Sequence, residues 1–182
     1  MQARAIETHL AELGEELERQ GIEQPIRLLV IGGAFMLLQI QNRKSTDDID
    51  VIFKDAEHPL ASPLYQAFKG AVQAVAMRKR LRGSWLNDIM AEILQDISHV
   101  PAGTLWRRYG KLEVFFPPKE YILALKLLAG RRKDRDDILV LCQQLQIQTY
   151  EQAKGLVDQY IPDPQVQQMN HLERTLKRMF GV

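Results

Sequence analysis

The sequence predicts an α/β fold, a sheet with flanking helices followed by a helical C-terminal part. Three observations carry that reading. Short apolar or alternating runs at 26–31, 48–53, 104–109 and 111–116 are interleaved with stretches of helical periodicity, a glycine pair at 32–33 separates the first run from a helix, and only helical pattern follows Pro118. The expected division is an α/β core over 1–116 and a helical part over 117–182, packed on the core as one structural unit.

The elements follow in order. Ala3, Ile6, Leu10, Leu13 and Leu17 recur at steps of three and four, the stripe of an amphipathic helix that Gly21 ends. IRLLVI after Pro25 is apolar and partly β-branched, so it reads as a buried strand, and AFMLLQI after Gly32-Gly33 reads as a helix. NRKSTD over 42–47 is turn-like, DIDVIF alternates as a strand does, and a polar stretch with Pro59 and Pro63 leads to a helix over 64–80 ending in the basic run MRKRLR. Ile89, Ile93, Leu94 and Ile97 place a short helix within 85–99. TLWRRY and KLEVFF flank Gly110 as two strands. Helices are expected from Pro118 to Ala129 with Gly130 just past the end, from about Arg135 to Leu145, over Tyr150–Tyr160 and over Val166–Phe180.

Composition bounds the function. With 182 residues, 46% hydrophobic and 26% charged, the chain can bury a sizeable core and is not a disordered polymer. Lys+Arg 24 against Asp+Glu 23 gives no global field toward nucleic acid or acidic lipid, although there is a local positive surplus between Arg78 and Asp137. The single Cys142 excludes an intramolecular disulfide and a multi-cysteine zinc site, and points to a reducing, cytoplasmic home. The most apolar stretch, Leu28–Leu38, is well short of the roughly 20 residues of a membrane span, and the charged N-terminus lacks an export signal.

Asp48 and Asp50 share one face if their segment is a strand, about 6–7 Å apart at the backbone, so their oxygens can converge on one ion. Oxygen-only ligands suit Mg²⁺ with substrate phosphates better than zinc. Alone, such a pair more often marks an acidic outer face that blocks edge pairing. Gly32 and Gly33 lie where backbone N–H groups at a helix start can approach a phosphate, or where a tight turn simply needs glycine. Glu113 faces away from Leu112, Val114 and Phe116, which makes it a third carboxylate or a solvated strand residue. Lys126 sits among apolar neighbours and needs a partner, either a nucleotide phosphate or water reached past a packed stem. Arg131, Arg132, Lys133 and Arg135 cluster at a helix junction where Asp134 is a candidate cap for the next helix.

In chain order the motifs IGGAF, STDDIDV, KLEVF and LKLLAGRRKDRDDI resemble those of the nucleotidyltransferase-fold superfamily, and more narrowly the AbiEii-like toxin nucleotidyltransferases and related bacterial proteins. The resemblance covers roughly Leu28–Leu141. It implies a mixed sheet with flanking helices and transfer of an NMP from an NTP to a hydroxyl of RNA, tRNA among them, or of protein. It also implies Mg²⁺ held by Asp48, Asp50 and Glu113. Gly32, Gly33, Lys126, Arg131, Lys133 and Asp134 map to the nucleotide-binding positions, facing phosphate or ordering the site. Two other readings remain open. One is a catalytically silent fold of this kind acting as an antitoxin or regulatory partner in a two-protein module; Ala34, where many active relatives have serine, points that way, and the intact DxD with Glu113 points the other. The second is a helical interaction protein binding through Val157, Ile161, Leu172, Leu176 and Met179 of the stretch Tyr150–Val182.

Overall fold

The computed structural model describes residues 1–55 and 62–181, so Pro59 of the expected polar linker, and Val182, lie outside the described residues. The chain begins with α1 (Ala3–Arg19), β1 (Ile26–Val30), and α2 (Gly32–Phe35), which continues as a π-helical turn over Met36–Ile40. Next come β2 (Ile49–Phe53), α3 (Pro63–Lys79), β3 (Leu86–Asn87), α4 (Ala91–Ile97), β4 (Thr104–Tyr109) and β5 (Leu112–Phe116). The remainder is helical: α5 (Lys119–Ala129), a 3-10 turn (Arg132–Asp134), α6 (Arg135–Leu145), α7 (Tyr150–Tyr160), α8 (Pro164–Met169) and α9 (Leu172–Phe180). Two compact units result, one comprising Met1–Glu92 with Gly103–Phe116, the other Ile93–Ala102 with Pro117–Val182.

The first unit is built on one five-stranded sheet in the order β3-β2-β1-β5-β4. β1 is central because its residues are almost uniformly apolar: Leu28, Leu29 and Val30 are fully buried, as a strand covered on both faces must be. It runs antiparallel to β2 and parallel to β5, and β3 adds parallel to β2, so the sheet is mixed. β4 and β5 form a hairpin across Gly110, whose φ of +55° suits glycine. On one face Phe53 packs its ring against Tyr65 and Phe68 of α3. α1 packs on α3, and the two are tied by Arg78 donating to Glu16 at 2.8 Å and by the Lys79–Glu12 ion pair, which accounts for half of the basic run at the end of α3.

In the second unit α5 is the hub, packed against α6, α7 and α9. Residues 93–102 belong here through a 2.9 Å hydrogen bond between Ser98 and Tyr121 hydroxyls and the His99 backbone N–H donating to Tyr160. Cys142 is buried, and desolvation pushes its thiol up to about 11, so it is a packed apolar group and not a reactive thiolate. No helix among the described residues is long and apolar enough to cross a membrane.

Four expectations are corrected. The region 85–99 holds a two-residue strand as well as the short helix, because Leu86 and Asn87 find ladder partners on β2 that no local pattern announces. The helix expected over 166–180 is two helices, parted at His171, whose φ of +54° is incompatible with a continuous helix. Asp48 lies in the bend before β2, not within the strand. Val157, Ile161, Leu172 and Leu176 are fully buried or nearly so within the second unit, so they form its core and offer no surface for a partner.

Gly14 sets the approach of α1 to the sheet. A Cβ there would overlap the backbone carbonyl of Tyr109 on β4, an obstacle that cannot rotate away. Gly14→Ala is therefore expected to lower stability by about 1–3 kcal/mol despite alanine's better helix propensity, as read from the urea midpoint.

Candidate functional site

The site begins with the way β1 leaves the sheet. At its end Ile31 donates its backbone N–H to the Asp50 carbonyl at 2.9 Å, which continues the β1–β2 ladder to the point where the chain turns into α2. Gly32 makes that turn with a φ of +62°, a conformation available to glycine at no steric cost. Its missing side chain has a second use: a Cβ at Gly32 would overlap Asp50 Oδ2. The carboxylate of the DxD motif thus lies directly against the glycine turn.

Gly33 is equally crowded. A Cβ there would come within 2.5 Å of Thr46 Oγ1 and 3.1 Å of Arg43 Nη1. The glycine pair therefore lets the loop before β2 fold onto the start of α2, bringing a hydroxyl, a guanidinium and a carboxylate to the same few ångströms of backbone. Thr46 is buried; Asp48, two residues on, is half-buried and has no hydrogen-bond or ion-pair partner among the described residues.

Asp50 is held from the other side by Asn87 Nδ2, which donates to Asp50 Oδ1 at 2.9 Å across the register Asp50↔Asn87. The next residue, Asp88, is buried and accepts from the Tyr65 hydroxyl and the Lys69 ammonium, both at 2.8 Å. Burial and the Asp88 carboxylate raise the Tyr65 pKa well above its ordinary value, so Tyr65 remains a neutral donor at physiological pH. Sequence reasoning passed over Arg43, Thr46 and Asn87. The first two stood in a polar run read only as a turn, and Asn87 in a segment read as helix.

Glu113 stands elsewhere. Cross-strand register pairs it with Arg27 at the start of β1, whereas Asp50 faces Ile31 past the end of β1. The two share a sheet face but are separated by about 13 Å along the strands and two strand spacings, roughly 9.5 Å, across them. Glu113 Oε1 instead accepts from Arg108 at 2.8 Å. Among the described residues no group of three or more His, Cys, Asp or Glu is placed to hold a metal ion. What Asp48 and Asp50 offer is a pair of carboxylates with oxygen donors only. That set fits Mg²⁺, which commonly takes one or two carboxylates and completes its shell with water and phosphate.

The remaining candidates lie in the second unit. Lys126 is buried, and its ammonium pairs with Asp134 at 2.9 Å and Asp137 at 2.7 Å, both buried. Asp134 therefore serves Lys126 and does not cap α6 with its side chain. The K…D..D spacing of the basic motif is in this chain an internal ion cluster joining α5 to the start of α6, while Arg131 and Lys133 are exposed.

A family model described as nucleotidyltransferase of unknown function (DUF6036) matches residues 8–153. No curated protein and no solved structure matches the chain.

Removing the cation at the centre of the buried cluster leaves two acids without their shared counter-charge. Lys126→Met is expected to destabilise the protein by about 3–5 kcal/mol, measured by denaturant unfolding.

Proposed function

We propose, from the premise that this chain belongs to that family of nucleotidyltransferases of unknown function, that it transfers an NMP from an NTP to a hydroxyl with Mg²⁺ as the required metal. The observation that carries the reading is the contact of Asp50 with Gly32. It joins a carboxylate able to hold a divalent cation to a backbone turn able to receive a phosphate, the two things that a metal–triphosphate needs side by side.

Asp48 and Asp50 would hold the ion, which when bound supplies charge neutralisation to the phosphates. The chain's own residues do the rest. Gly32 and Gly33 let Asp50, Thr46 and Arg43 close on the start of α2, where the triphosphate would bind, and Arg43, over Gly33, adds a guanidinium suited to phosphate oxygens. Catalysis in this reading rests on positioning and electrostatics, with pyrophosphate leaving as the acceptor hydroxyl attacks the α-phosphorus. The proposed acceptor is a hydroxyl on RNA, including tRNA, or on protein, as in the AbiEii-like toxins that the motifs resemble, which would place the protein in a toxin–antitoxin module. The engagement of Glu113 by Arg108 favours the second reading, a silent fold that binds a cognate partner, and the same experiment separates the two.

Purified protein is incubated with Mg²⁺, each α-labelled NTP, and cellular RNA and protein. Label is expected on one class of macromolecule, and Asp48→Asn or Asp50→Asn is expected to reduce it by about 100-fold or more. Absence of label on every acceptor, with no binding of Mg²⁺ and NTP by calorimetry, would overturn the enzymatic reading in favour of the silent partner. Gly32→Ala, which collides with Asp50 and forces alanine into a left-handed backbone, is expected to match the aspartate variants in this assay.

A further inference from the structure

We propose that Asn87 is a positioning residue for the metal ligand Asp50, and that its being an amide and not a carboxylate sets the charge of the site; this rests on the reading above. The side chain makes two bonds of opposite sense. Asn87 Oδ1 accepts the backbone N–H of Ile89 at 3.3 Å, which fixes the amide so that Nδ2 faces Asp50 Oδ1 at 2.9 Å. Asparagine meets both demands at once, one acceptor and one donor on a short stem, whereas aspartate could satisfy Ile89 but would confront Asp50 with a second negative charge.

The amide binds Oδ1 and leaves Oδ2 directed at Gly32, so Asp50 is held in the rotamer that faces the glycine turn. Asn87 is itself anchored. It lies on a strand of only two residues, and the adjoining Asp88 is pinned by Tyr65 and Lys69 of α3. The order of support runs from α3 through Asp88 and Asn87 to Asp50. Groups that orient a ligating side chain in this manner typically change metal affinity by ten- to a hundredfold when removed.

The test is titration of the intact protein with Mn²⁺, followed by electron paramagnetic resonance, alone and with non-hydrolysable α,β-methylene NTPs, with thermal unfolding of the metal-free protein measured in parallel. Asn87→Ala is expected to weaken Mn²⁺ binding about tenfold or more, because Asp50 loses its orienting donor. Asn87→Asp is expected to tighten Mn²⁺ binding relative to the unaltered protein, because a cation relieves the new repulsion. Both are expected to lower the unfolding temperature of the metal-free protein. If both variants lose thermal stability but bind Mn²⁺ as the unaltered protein does, the residue is only a structural tie of β3 and the proposal is overturned. Should the unaltered protein bind no Mn²⁺ under either condition, the fault lies with the metal-site reading itself, and the proposal is overturned with it.

Discussion

The candidate site depends on empty space at one Cα atom. At Gly32 the chain leaves β1 with a positive φ, and the volume a side chain would take is filled by Asp50 Oδ2. The two demands reinforce each other: the backbone torsion disfavours β-branched and bulky residues, and the neighbouring carboxylate would have to shift to admit even a methyl group. Because Ile31 also bonds the Asp50 carbonyl, the contact is an extension of the sheet and not an accident of a loop. The register of β1 with β2 therefore determines which acidic residue meets the glycine turn, and a slip of one residue would present the other face of β2.

Much of the architecture was legible from periodicity and punctuation. The limits of α1, β1, β2, α3, α5, α6 and α7 fall within a residue or two of the pattern, and Gly110 and Gly130 stand where a hairpin and a helix end require them. What was not legible depends on partners distant in sequence. β3 is too short to carry any alternation, so only its ladder to β2 defines it. The face occupied by Glu113 follows from the period of a strand, but its distance from Asp50 follows from pairing with β1, which no local pattern encodes. In the same way the isolation of Lys126 among apolar residues signalled that it had a partner, and the identity of that partner stood eight and eleven residues on, disguised as the acidic start of the next helix.

The two units use charge differently. In the second, one buried ammonium pairs with two buried carboxylates; desolvation makes such a cluster a poor source of stability but a stringent specifier of how α5 meets α6. In the first, Asp48 and Asp50 are only half-buried, with an amide bonded to Asp50 and a hydroxyl and a guanidinium against the neighbouring Gly33. The Lys126 cluster is closed by buried carboxylates on its own helices, whereas the acids near Gly32 stay half-open to solvent.

The central position of β1 bears on how the chain is made. Its β2 edge can be satisfied soon after synthesis, since β2 follows closely, but its other edge waits for β5, which lies beyond α3, α4 and β4. Until those residues leave the ribosome, an almost wholly apolar strand presents a row of unpaired backbone groups, the template for pairing with another nascent chain. The parallel β1–β5 pairing thus makes this a protein whose vulnerable interval is translation, with the late hairpin of β4 and β5 closing the exposed edge and ending it.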